Sequence, residues 1–156
     1  MSLSTTSHTC PKPSVERHTP SPRQSTAPIG ADAFQAAFLP DPTAVARMRC
    51  STAAFLRRFG LTGPVSSSVV LVVSELVTNA IKHGRGVVAL EIRVVSGTIS
   101  VSVTDENPAP AVLKQPGPDD TSGRGIALVE AYSDKWGSTG EETWCEFRHD
   151  NAGSVA

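Results

Sequence analysis

Glu75 and Asn79 stand four residues apart in the stretch Val-Val-Leu-Val-Val-Ser-Glu-Leu-Val-Thr-Asn-Ala-Ile-Lys-His-Gly that starts at Val69. Wound at about 100° per residue, Val69, Val70, Val73, Leu76, Val77, Ala80 and Ile81 make one wide apolar arc. Glu75, Asn79, Lys82 and His83 then fall together on the other side. A plain solvated face carrying a Glu–Lys pair is the ordinary reading of such a side. Two features weigh against it. Asn is a poor helix former, and it sits mid-helix where Ala would serve better. It also follows a carboxylate by one turn, so an amide oxygen and a carboxylate oxygen converge. That pair suits a hard cation that keeps several waters and also binds phosphates.

Two more segments carry chemistry. Val101-Ser102-Val103-Thr104-Asp105 alternates like a strand and ends on an acid. Asp at a strand end is often a turn or cap residue. Its functional reading is an acceptor for an exocyclic amine at the base of a pocket. Gly123-Arg124-Gly125-Ile126 opens a short apolar helix. Glycines are common wherever a loop meets a helix. Here they would let backbone N–H groups approach a phosphate at the helix N-terminus.

The elements that must position these residues follow from pattern. Residues 1–30 are rich in Ser, Thr and Pro with almost no large apolar side chain, which reads as a disordered tail. A domain is expected over residues 31–150, with a short tail at 151–156. Phe34, Ala36 and Phe38 alternate with Gln35 and Ala37 as a first strand. Asp41-Pro42 reads as an N-cap with proline at the first helical position. The helix that follows carries Val45, Met48, Thr52, Phe55, Leu56 and Phe59 at helical spacing and stops at Gly60. Gly63-Pro64 begins the second helix, with Ser66–Ser68 as caps, and Gly84 ends it near His83. Val87–Val95 and Thr98–Thr104 are strands across the tight turn Ser96-Gly97. A long Pro-rich loop runs from Asp105 to Ser122, a length usual for a functional loop or lid. A last hairpin is expected from Ser133–Ser138 and Thr143–Arg148 across Thr139–Glu142. Antiparallel strands with helices on one face make an α+β two-layer sandwich.

Composition narrows the classes. The chain has 156 residues, enough for one domain with a real core. A net charge of -1 gives no global pull toward nucleic acid or acidic membranes. Cys10, Cys50 and Cys145 lie far apart without metal-ligand spacing, and an odd count without a secretory signal reads as reduced thiols in a cytoplasmic protein. The longest apolar run, Val69–Val73, falls far short of a membrane span.

In order and spacing, the three segments resemble the GHKL ATPase superfamily of gyrase, the ninety-kilodalton heat-shock chaperone, histidine kinases and mismatch-repair proteins. The branch most similar is the anti-sigma-factor serine kinases and their actinobacterial relatives. Glu75-Leu76-Val77-Thr78-Asn79-Ala80 matches the N box, Asp105 the aspartate of the first glycine box, and Ser122–Val129 the second glycine box. Tyr132–Gly137 and Thr143–Phe147 resemble the closing strands, so the likeness covers roughly residues 34–148. It implies the Bergerat-type fold, a two-layer α/β sandwich with a mixed, mostly antiparallel sheet. It implies ATP and Mg²⁺ as cofactors, with Asn79 coordinating the metal and Glu75 as general base or orienter of the attacking group. Asp105 would bind the adenine amine. Gly123, Arg124, Gly125 and Ile126 would lie against the phosphates. His83 would lie near the pocket rim, where a helix-end cation is the equal alternative.

The activity implied is a serine/threonine kinase that phosphorylates a small antagonist protein and controls a sigma factor or similar partner. Neither direct nucleic-acid binding nor membrane contact is expected, and a homodimer is one expected assembly. No phosphoacceptor helix precedes the domain, which argues against a histidine-kinase role. Two departures stand out. Asp105 is followed by Glu106-Asn107-Pro108 rather than glycines, and Glu141-Glu142 stands where relatives often carry Lys. The first favours an alternative, a nucleotide-binding interaction switch without kinase turnover.

Overall fold

A computed structural model describes residues 32–109, 111 and 124–150 of the chain. The expected tails at 1–30 and 151–156, most of the Pro-rich loop, and Gly123 lie outside the described residues. In chain order the elements are β1 (Asp32–Phe38), α1 (Thr43–Arg58), α2 (Pro64–His83), β2 (Val88–Val95), β3 (Thr98–Thr104), α3 (Arg124–Tyr132), β4 (Lys135–Thr139) and β5 (Glu142–Arg148).

The strands form one open sheet in the order β1-β2-β3-β5-β4. Every pair is antiparallel, so the sheet is antiparallel throughout the described residues rather than mixed. The connections explain this. Ser96 and Gly97 both take positive φ, 40° and 81°, which is the backbone a two-residue hairpin turn needs between β2 and β3. Gly140, at φ 63°, starts the equally short turn between β4 and β5. That turn is Gly140-Glu141, tighter than the expected Thr139–Glu142, because Thr139 pairs with Glu142. Ser133 falls outside β4. Its hydroxyl and its N–H both donate to Val129 O, so it closes α3 instead.

Alternation in the strands sends one face inward. Val88, Leu90 and Ile92 of β2 and Ile99, Val101 and Val103 of β3 are all buried. Register lines them up: Phe34 opposes Ile92, Ile92 opposes Val101, Val101 opposes Cys145, and Cys145 opposes Trp136. All three helices lie against this sheet, which gives the expected α+β two-layer sandwich. Each fully buried Leu, Ile or Val contributes about 1.5–3 kcal/mol relative to exposure.

α2 is the central element, packed on α1, on α3 and on β2, β3 and β5. Contact on three sides dries more of its surface than a single arc. Val72 and Ser74 are therefore buried although the wheel left them out, while Val70 and Ile81 are only half-buried. Ser74 tolerates this because its hydroxyl donates to Val70 O at 3.0 Å. By length and hydropathy α2 is apolar enough to cross a membrane. Its apolar residues are instead part of this core.

The helix ends follow local rules, with one exception. Asp41 Oδ1 accepts from the Thr43 N–H and hydroxyl, both at 2.9 Å, and these bonds hold its carboxyl below the usual range. At the other end of α1, Leu61 N–H reaches Leu56 O and Gly60 N–H reaches Arg57 O, a Schellman closure with Gly60 at φ 68°. The exception is Ser66–Ser68. Pro64 already occupies the first turn of α2, so these serines lie inside the helix and do not cap it.

The expectation of reduced thiols holds for Cys145 and fails for Cys50, which is disulfide-bonded. Cys145 is free and buried, and burial pushes its thiol up to about 12, with the neighbouring Glu146 charge adding to the effect. It stays a protonated core side chain at neutral pH.

Candidate functional site

The expected site residues distribute along α2. Glu75 and Asn79 are half-buried, one turn apart on the face that also carries exposed Lys82 and His83. The α2 face at Glu75 meets the start of α3. A Cβ built on Gly125 would lie 3.0 Å from Glu75 Oε2. Only glycine lets the first turn of α3 come this close to the carboxylate without pushing on it. Ile126 is buried in the core and fixes α3 in this position. Arg124, one residue before Gly125, is exposed. Gly123 lies outside the described residues.

The other end of α2 meets Asp105. This residue follows β3 directly, and β3 pairs along its whole length with β2 and β5, so its position is set by the centre of the sheet. Asp105 is half-buried. Its Oδ1 accepts from the Asn107 N–H at 2.6 Å, and its own N–H donates to Glu141 O at 3.0 Å. Its Oδ2 faces Gly84, where an added Cβ would come within 2.6 Å of that oxygen and would overlap Ala80 O.

Gly84 is therefore more than a helix stop. Its φ of -78° and ψ of -175° are open to any residue. What requires glycine is the Ala80 carbonyl, 2.3 Å from an added Cβ, and after it the Asp105 carboxylate at 2.6 Å. Sequence reasoning missed this, because the same glycine also fits an ordinary C-terminal stop. Gly86 is a second case. It has φ 64°, and the Glu106 carboxyl occupies the space its Cβ would need. Asn107, which bonds Asp105 and His83, was also not singled out in the sequence. Its only sequence signal is that it stands where the resembled family has glycine.

A stability test follows. Gly84→Ala must displace both the Ala80 carbonyl in the last turn of α2 and Asp105, and overpacking of this kind costs about 1–3 kcal/mol. Denaturant unfolding should show the midpoint falling accordingly. An unchanged midpoint would mean that the Ala80 carbonyl and Asp105 both move aside freely, so that neither is held tightly at this end of α2.

The helix supplies the scale of the site. Glu75 and Gly84 are nine residues apart, about 13 Å along the axis at 1.5 Å per residue. An elongated ligand can therefore meet Glu75, Asn79 and the start of α3 at one end and Asp105 at the other. At the first end, the amide oxygen of Asn79 beside a carboxylate fits a magnesium ion that keeps waters and phosphate oxygens as its remaining ligands. At the other, Asp105 Oδ2 over Gly84 is a hydrogen-bond acceptor.

No curated protein matches the chain. The family model described as the histidine kinase-like ATPase domain matches residues 38–148. That span takes in α1 through β5 and all three motif segments, and the chain belongs to the histidine kinase-like ATPase domain family, of GHKL type.

Proposed function

We propose that this ATP-binding domain is a regulatory serine/threonine kinase of anti-sigma-factor type. It would transfer the γ-phosphoryl group of ATP to a serine on a small antagonist protein. It would also hold a sigma factor or similar partner in the cytoplasm. The observation that carries the reading is the layout along α2, with Glu75 against Gly125 of α3 at one end and Asp105 over Gly84 at the other.

Each residue has a task on this reading. Asn79 holds Mg²⁺, which when bound neutralises charge on the phosphates. Gly125 and its neighbours present backbone N–H groups to the same phosphates at the N-terminus of α3. Glu75 accepts the proton of the attacking hydroxyl. Asp105 accepts from the adenine amine. His83 and Arg124, both exposed, stand at the rim. Phosphoryl transfer needs little from a protein beyond such positioning and charge stabilisation.

A second reading is a nucleotide-binding interaction switch without turnover. The segment Glu106-Asn107-Pro108 favours it. Glu106 N–H donates to Arg85 O at 2.8 Å, so the loop is fastened to the connection between α2 and β2 where the resembled family has glycines.

Adenine recognition is tested by Asp105→Asn. Guanine presents a carbonyl where adenine presents an amine, so the substitution should weaken ATP binding about tenfold or more and GTP binding less. Calorimetry with both nucleotides measures this. Equal effects on the two would remove Asp105 from the base pocket.

A further inference from the structure

Asn107 makes three hydrogen bonds, each of a different kind. Its N–H donates to Asp105 Oδ1 at 2.6 Å. Its side-chain Nδ2 donates to His83 O at 2.8 Å, in the last turn of α2. Its Oδ1 accepts from the Ala109 N–H at 3.1 Å. One side of the side chain thus faces a carbonyl and needs a donor, while the other faces an N–H and needs an acceptor. At this length only an amide supplies both. An aspartate would set oxygen against oxygen at His83, and an apolar residue would leave both backbone groups unmet.

We infer that Asn107 is the positioning residue of the base pocket, the clasp that ties the Asp105 carboxylate to the helix bearing Asn79. It does so in two ways. Its N–H occupies Oδ1, which leaves Oδ2, the oxygen packed over Gly84, as the acceptor for a ligand amine. Its side chain grips α2 one turn beyond Asn79, so the base acceptor and the cation-holding residue move as one body. The departure from glycine after Asp105 is then a fastening of the base pocket rather than a loss of it. This inference rests on Asp105 as the adenine acceptor.

The test uses the full chain and calorimetry with Mg²⁺ plus ATP or GTP. Asn107→Ala removes both side-chain bonds and keeps the N–H to Asp105. Asn107→Asp keeps the acceptor for Ala109 and loses the donor to His83. Both should weaken ATP binding about tenfold and GTP binding less, so the preference for ATP falls. A merely structural role would weaken both nucleotides alike.

The clasp is overturned if Asn107→Ala and Asn107→Asp keep the wild-type preference while Asp105→Asn loses it. If Asp105→Asn also keeps the preference, the adenine reading itself fails and the clasp with it. Should both Asn107 variants fail to fold, hydrogen exchange on the wild type decides. ATP should slow exchange at the Asn107 and Gly84 amides together, and slowing at only one of them would overturn the coupling.

Discussion

Glu75→Gln is expected to bind Mg²⁺-ATP nearly as well as the wild type while losing about 10²–10⁴-fold of phosphoryl transfer to the antagonist serine, the contribution of a positioned general base. Glutamine keeps the length and hydrogen-bonding capacity of the side chain and removes its basicity. It also keeps the contact with Gly125, since the amide occupies nearly the same volume as the carboxylate that now lies there. A loss of transfer therefore reports on proton acceptance and not on a collapsed α2–α3 contact. Radiolabel transfer from ATP measures the first quantity and calorimetry the second. Equal transfer by wild type and variant would remove Glu75 as the base. A wild type that binds ATP and transfers to no antagonist protein supports the switch reading.

Asn79→Ala should fail one step earlier. With its amide oxygen gone, the metal loses its protein ligand on α2, and Mg²⁺-ATP affinity should fall about a hundredfold or more, with transfer lost along with it. The fold should survive. Asn79 is half-buried on the helix face away from the core, and Ala is the better helix former by a few tenths of a kcal/mol. A thermal midpoint at or above that of the wild type, together with lost nucleotide binding, is the expected pair of results. Undiminished Mg²⁺-ATP binding would mean that Asn79 is only a polar residue on a solvated face.

The shared face of those two residues was legible in the sequence because both lie on one helix, where spacing alone fixes relative direction. The sheet was legible for a similar reason. Phe34, Ala36 and Phe38 alternate, and Ile99, Val101 and Val103 alternate, so period two assigned both their strands and their inward faces. Ser96-Gly97 gave the hairpin between β2 and β3, since its positive φ values are a local demand.

What stayed hidden depends on contacts distant in sequence. Val72 and Ser74 are buried because α1, α3 and the sheet enclose α2 from three sides, and no single-helix wheel contains its neighbours. Gly84 reads as a stop until Asp105, from the far end of β3, is placed against it. Asn107 reads as a loop residue until its amide is found on His83, across 24 positions of chain. The resemblance implied a mixed, mostly antiparallel sheet, and only its mixed part departs from the described strands. Two two-residue turns and a pair of returning helices make it antiparallel here.

On the proposed function, ATP lies along α2 with its base at Asp105 and its phosphates at Asn79 and the start of α3. The most direct measurement is a calorimetric titration of the full chain with ATP and Mg²⁺, run on the wild type, Asp105→Asn and Asn79→Ala. The expected result is one saturable site in the wild type, a selective loss of ATP over GTP in Asp105→Asn, and loss of Mg²⁺-dependent binding in Asn79→Ala. No binding by the folded wild type, or ATP affinity that neither substitution changes, would contradict it.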